Sequence, residues 1–228
     1  MSVSSLSAST QNYVKIIWGL SEWSTAPITT GMIADKAGVK KSTVSDALRK
    51  LSDAGLVEHS RYSAVTLTDL GREYAVAMVR RHRLIETFLV DTLGYRWEQV
   101  DREADALEHV VSDLMIERLD EHLGHPQRDP HGDAIPDSQG TIIRPPAVRL
   151  TECEPHSVVT IARIADDDPQ LLQYLAEHDI GLDTRVQVTA GPPFSESITI
   201  TPHDGEEALT ISSTIAQSIF AIPSQPQD

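Results

Sequence analysis

Apolar residues in the first third of the chain recur with helical spacing. Between Ser9 and Trp23, Tyr13, Ile16, Ile17 and Leu20 stand at i, i+3, i+4 and i+7, which predicts an amphipathic helix broken before Pro27. Thr29 or Thr30 can cap a second helix that runs to Ala37 and stops at Gly38. A third runs from Ser42 to Ala54 and is closed by Gly55. Leu56–Glu58 and Ala64–Leu67 then read as two short strands of a hairpin joined through His59–Ser63. Thr68 caps a helix that can continue through Val76, Val79 and Leu84 to Leu93, with Gly94 as its stop. At about 25 residues it exceeds the usual globular helix, and such a helix can join two domains. Two more helices are expected, Trp97–Val110 and Ser112–Leu123.

The pattern changes after Gly124. Residues 125–147 contain Pro126, Pro130, Pro136, Pro145 and Pro146 and no helical period, as a linker would. Beyond them, Val158–Ile164, Arg185–Thr189, Ser197–Thr201, Ala208–Ile211 and Ile219–Ile222 read as strands, with one helix at Pro169–Glu177. A small five-stranded β-barrel or open sheet is the natural expectation. The chain as a whole is expected to be an α+β multidomain protein, divided into residues 1–75, 76–140, a linker at 141–147, and 148–228.

Charge sharpens this division. The formal net charge of −15 argues against a nucleic-acid partner, yet residues 1–83 hold 11 Lys and Arg against 7 Asp and Glu, while the rest holds 8 against 27. An acidic protein with a basic N-terminal third can face phosphate with one part only. No run approaches the ~20 apolar residues that span a bilayer. Met1–Thr10 lacks the parts of a signal peptide, and Cys153, the single cysteine, permits no intrachain disulfide. A cytoplasmic protein is expected. Cys153-x-x-His156, a pair without partners, is read as a strand cysteine rather than a metal site.

Helix, helix, turn, helix and hairpin is the order of a winged helix-turn-helix. The second helix of its turn motif lies in the major groove and presents its N-terminal residues. Lys40 and Lys41 suit phosphate there, and Ser42, Thr43 and Ser45 can donate to phosphate or base edges. Asp46 can accept from a cytosine amino group, and Arg61 at the hairpin tip can follow the backbone.

Behind this segment, acids and histidines fall at metal-ligand spacings. His82 and Glu86 stand at i and i+4; Asp105, Glu108 and His109 stand at i, i+3 and i+4, so each set projects from one helical face. Like charges at that spacing repel, and a cation relieves them. One turn of helix cannot complete a coordination shell, so a second helix must contribute, and His82 is the obvious source.

Arg81-His82-Arg83-Leu84-Ile85-Glu86, Glu103-Ala104-Asp105-x-x-Glu108-His109-x-x-Ser112-Asp113 and Pro130-His131-Gly132-x-x-Ile135-Pro136 together resemble the diphtheria toxin repressor family, more narrowly its manganese-responsive branch. Thr43-Val44-Ser45 and the hairpin match the same family. The resemblance is strong over residues 9–137. Residues 148–222 are similar, more weakly, to the SH3-like C-terminal domain of longer members. It implies a winged helix-turn-helix at 1–75, a helical dimerisation and metal-binding domain at 76–140, and an SH3-like domain at 148–228. It further implies a homodimer whose metal-loaded form binds a palindromic operator and represses metal-uptake genes, with no small organic ligand and no membrane. A primary site of Asn12, His82, Asp105, Glu108 and His109 is implied, as is a secondary site of Glu86, Asp129 and His131. A fourth ligand from the C-terminal domain is implied, Asp168 first among Asp166, Asp167 and Asp168, and Asp101 ranks below Asp129 and His131. Asn12 stands where manganese-sensing members usually have Asp. Metal would tie the first helix to the later ones and set the spacing of two recognition helices.

The donors point independently to the same ion. Carboxylate, amide and imidazole without sulfur suit Mn²⁺, with Fe²⁺ as the alternative. A metallohydrolase using Glu108 as base would be the enzymatic reading, but no HExxH spacing is present. A winged-helix sensor of an organic ligand, with the acids merely solvated, is the third.

Overall fold

In a computed structural model, residues 3–59, 64–203 and 207–224 are described; Arg61 lies outside them. Ser7 begins the first helix by accepting from the Thr10 amide, and α1 (Ala8–Glu22) follows. Thr29 caps α2 (Thr30–Ala37) through the Met32 amide, and Gly38, at φ 65°, turns the chain out of it. That left-handed turn costs glycine little. In α3 (Lys41–Asp53), Val44, Leu48 and Leu51 are buried at i, i+4 and i+7 and the opposite face is wet. Strands β1 (Val57–Glu58) and β2 (Thr66–Leu67) pair antiparallel, Val57 opposite Leu67.

One long helix, α4 (Asp69–Asp91), takes the chain onward. The Thr68 hydroxyl joins it to the hairpin, accepting from the Gly71 amide while donating to the Gly55 carbonyl. After a 3-10 turn at Trp97–Gln99 come α5 (Val100–Leu107) and α6 (Asp113–His122), the latter capped by Ser112. The expected helix at Trp97–Val110 is therefore a 3-10 turn followed by a shorter α-helix.

The C-terminal sheet has six strands, not five: β3 (Val148–Arg149), β4 (Val158–Ile164), β5 (Arg185–Ala190), β6 (Ser197–Pro202), β7 (Leu209–Ser212) and β8 (Ile219–Pro223). Their order is β3-β8-β4-β5-β6-β7, with every pairing antiparallel. Helix α7 (Pro169–Glu177) lies between β4 and β5 as expected, and a short α8 (Ser213–Gln217) precedes β8. Strand β3 escapes sequence reading because two residues carry no alternation. A register shift between Ile161 and Arg163 bends β4 against β8.

Two compact units result. The first comprises residues 1–85, 104–125 and 135–142, around Val14, Ile17, Ile33, Leu48, Leu56 and Met78. The second comprises residues 86–103, 126–134 and 143–228, around Leu150, Ile161, Ile164, Leu172, Leu175 and Val186. The segment 76–140 is shared between them rather than forming a third unit, and α4 changes unit between Ile85 and Glu86. Among the described residues, no helix is long and apolar enough to cross a membrane.

A β-carbon on Gly71 would stand 1.9 Å from the Leu56 carbonyl oxygen. Gly71→Ala must push α4 off the hairpin, and we expect a loss of roughly 2–3 kcal/mol from the first unit, read as a lower urea midpoint.

Candidate metal centres

The start of α3 is open to a polyanion. Lys40, Lys41, Ser42, Thr43, Ser45 and Asp46 are all exposed there. Lys40 occupies the cap position without a side-chain cap bond, so amide groups of the first turn are left for an outside acceptor. Ser45 Oγ donates to the Lys41 carbonyl, and Arg49 lies 3.4 Å from Asp46, partly offsetting its charge on this face.

In the first unit, one cluster draws on three helices. His82 comes from α4, Asp105 from α5 and Glu108 from the turn directly after it, and their donor atoms lie within 4.8 Å of one another. His82 Nδ1 is 2.7 Å from Glu108 Oε2 and 3.5 Å from Asp105 Oδ1. The third helix contributes Lys15, not Asn12. The Lys15 ammonium donates to Asp105 Oδ1 at 2.7 Å and to Glu108 Oε2 at 2.8 Å, and lies 3.1 Å from His82 Nδ1. Gln11 and Lys15, at i and i+4, share the inward face of α1, whereas Asn12 is turned about 100° away and exposed. Burial works against the Lys15 charge, but Glu108 and Asp105 outweigh it and hold the ammonium above its usual range. Burial likewise raises Asp105, and Lys15 overrides it and keeps that carboxyl low.

His109 stands beside the cluster. Gln11 donates its amide to the carbonyls of Val3 and Leu6, which leaves its Oε1 to accept from His109 Nδ1–H at 2.6 Å. The His109 Nε2 lone pair is thereby aimed toward Glu108 Oε1, 3.5 Å away. Arg81, 3% exposed, donates to the carbonyls of Glu108 and Val111, to Ser4 Oγ and to Asp113, and so pins the end of α5. Gln11 and Lys15 were absent from the sequence expectation, and Arg81 entered it only within a motif, without a role. Two carried a signal: Gln11 and Lys15 flank Asn12 on the expected helix, one helical turn apart.

The second unit holds another cluster, Glu86, His131 and Asp166, again with donor atoms within 4.8 Å. Glu86 is 1% and His131 0% exposed. The Trp97 carbonyl accepts from His131 Nε2 at 2.9 Å, and a carbonyl cannot donate, so Nε2 carries the hydrogen. In the neutral ring Nδ1 is then the lone pair; it faces Glu86 Oε1 at 3.8 Å, buried and with no hydrogen-bond partner among the described residues. Two carboxylates and a bare imidazole nitrogen fit a hard or borderline divalent cation.

Asp129 and Asp168, both expected as ligands, are placed differently. Asp129 Oδ1 accepts from the amides of His131 and Asp133, shaping the turn that presents the imidazole. Asp168 caps α7 through the amides of Gln170 and Leu171, and Asp166, two residues earlier, joins the cluster instead. The turn is clamped further: Arg163 Nε donates to Asp133, the Ile164 amide donates to the His131 carbonyl, and Gly132 at φ 92° leaves room for the Ala162 carbonyl.

Burial, then Glu86, raises the Asp166 carboxyl. At His131, burial alone would lower the basicity, but Glu86, Asp129 and Asp166 overcome it and raise it above the usual 6.5. With both shifts upward, these two groups bind more protons in the folded metal-free chain than in the unfolded one. The stability contributed by Asp166 is present below pH 3.8 and lost as pH rises through its folded value; that of His131 is present below 6.5 and lost higher still. In chelator, thermal unfolding of the second unit should therefore shift to lower temperature as pH climbs from 6.5, and Asp166→Asn should flatten the dependence. A rise over the same range would contradict the assigned charges.

Comparison with known proteins agrees with this geometry. Residues 5–65 match a model of an iron-dependent repressor N-terminal DNA-binding domain, and 68–137 match the iron-dependent repressor metal-binding and dimerisation domain. Residues 148–223 match a FeoA domain. The iron-dependent repressor IdeR of Mycobacterium leprae is 31% identical over 222 residues, covering 89% of this chain and 96% of its own. The diphtheria toxin repressor of Corynebacterium glutamicum is 30% identical, covering 78% and 82%. A solved manganese-dependent transcriptional repressor in complex with manganese is 48% identical, covers 94% of this chain and 100% of its own, and superposes with a TM-score of 0.88.

Proposed function

The chain belongs to the iron-dependent, or diphtheria toxin, repressor family of metal-dependent DNA-binding transcriptional repressors, which are not enzymes, and from that premise we propose that its effector is Mn²⁺. Fe²⁺ is the alternative. The observation that carries the choice is the Glu86–His131–Asp166 cluster: oxygen and imidazole donors, no sulfur, and a buried Nδ1 lone pair. The 48% identical repressor solved with manganese supports the same ion. Zn²⁺ binds such donors more tightly in general, so selection falls to geometry and supply.

In this reading Glu86, His131 and Asp166 hold one ion, and His82, Asp105, Glu108 and His109 form the other centre. The bound ion supplies the positive charge that buried carboxylates otherwise take from protons or from lysine. Helix α4 begins two residues after β2 and carries both His82 and Glu86, so a restraint on either ligand acts on the helix that leaves the wing. Asp129 and Trp97 orient His131, while Gln11 orients His109 and Arg81 holds α5.

The working form is a homodimer on a palindromic operator that controls metal-uptake genes inside the cell. Leu107, Val110, Leu114 and Met115 form an apolar stretch from the end of α5 into α6, with Val110 77% exposed; a second copy is the natural cover. The exposed start of α3 would read the operator through Lys40, Lys41, Ser42, Thr43 and Ser45, with Asp46 beside them and Arg61 following the backbone.

Two measurements test the proposal. Operator affinity in a gel-shift titration should fall about 10–100-fold when a chelator removes metal, and Glu86→Gln should show the low affinity even in Mn²⁺; insensitivity to both would sink the reading. Lys41→Ala should weaken binding to all sequences alike and reduce the slope of log affinity against log salt by roughly one.

A further inference from the structure

The Lys15 ammonium sits at the point where the donor atoms of His82, Asp105 and Glu108 converge. Its distances, 2.7 Å to Asp105, 2.8 Å to each Glu108 oxygen and 3.1 Å to His82 Nδ1, surround it as ligands surround a cation. His82 Nδ1 cannot satisfy both neighbours: with a hydrogen it donates to Glu108, without one it accepts from Lys15. We propose that Lys15 is a tethered cation competing with the metal for this cluster, so that the centre takes an ion only by expelling a side chain of the same protein. The proposal rests on the metal-responsive reading above.

Three features support expulsion rather than coexistence. The four donor contacts converge on a single point with a fully buried Glu108 beneath it, and a second cation there would face an ammonium across a few ångströms of poorly screened space. Lys15 keeps 17% of its side chain exposed, and its four-carbon stem can carry the charge to solvent without moving α1. A replacement donor also waits alongside: the His109 Nε2 lone pair, fixed by Gln11 and 3.5 Å from Glu108.

In the Glu86–His131–Asp166 cluster the imidazole Nδ1 faces the carboxylates with no hydrogen-bond partner among the described residues. The two centres should thus differ in affinity for one and the same ion. The second unit fills first. The first unit fills at a higher metal concentration, set by the work of displacing Lys15.

Calorimetric titration of Mn²⁺ into the full chain tests this. Wild type should show a tight step lost in His131→Ala and a weaker step lost in Glu108→Gln. Lys15→Gln should tighten the weaker step at least tenfold, about 1.4 kcal/mol, and leave the tight step alone, whereas Lys15→Arg should bring no gain. A folded Lys15→Gln whose weaker step stays within twofold of wild type, or weakens, overturns the proposal. Should Lys15→Gln not fold, wild type suffices: saturating Mn²⁺ should raise acetylation of Lys15 by acetic anhydride several-fold by mass spectrometry, and unchanged labelling overturns it. Wild type with no Mn²⁺ or Fe²⁺ step, beside a Lys15→Gln that gains one, would sink the functional reading while upholding this inference.

Discussion

Buried negative charge is the constraint around which this protein is arranged. Glu108 and Glu86 are removed from water, and Asp166 stands beside Glu86 with its carboxyl raised. A carboxylate in such a place must gain a proton, an ammonium or a metal. The first unit answers with Lys15; in the second, burial and Glu86 raise the Asp166 carboxyl, and the neighbouring carboxylates outweigh burial to raise His131. A divalent cation can serve either. Metal response follows from the cost of leaving these groups uncompensated, and the rest of each unit serves to keep them buried and close.

Helix α4 gives that charge a mechanical outlet. It begins at the hairpin, where Gly71 lies against the Leu56 carbonyl, and reaches His82 and Glu86 some three turns later. Its ligands come from the same rigid rod as its contacts to the wing. In the proposed reading, His82, Glu86 and the Gly71 contact to the hairpin lie on one helix, which would carry the metal response toward the wing.

Periodicity and spacing made much of this legible. Gly55 marked the end of α3, and Val158–Ile164 and Pro169–Glu177 were visible to the residue because alternation and a proline start are local signals. The joint face of Asp105 and Glu108 was legible for the same reason. What failed depended on rotation or on distant backbone. Asn12 against Lys15 is a matter of 100° on α1, decided by packing; Asp166 against Asp168 turned on which carboxylate the start of α7 claimed as a cap. Asp129 looked like a ligand because the local motif named it, while its Oδ1 accepts from the amides of His131 and Asp133, two and four residues further on. Strand β3 and α8 were too short for any period to show.

The turn at Asp129–Asp133 separates two jobs that many sites confuse. Asp129, Gly132 and Asp133, with Arg163 and the Trp97 carbonyl, fix where the imidazole stands, while Glu86, His131 and Asp166 are the proposed donors. Asp166 follows β4 outside that clamp. Its side chain can be exchanged for one with a softer or longer donor while the scaffold that aims His131 is left intact. In the proposed reading, one substitution at Asp166 would alter the donor set of this centre and leave its architecture in place.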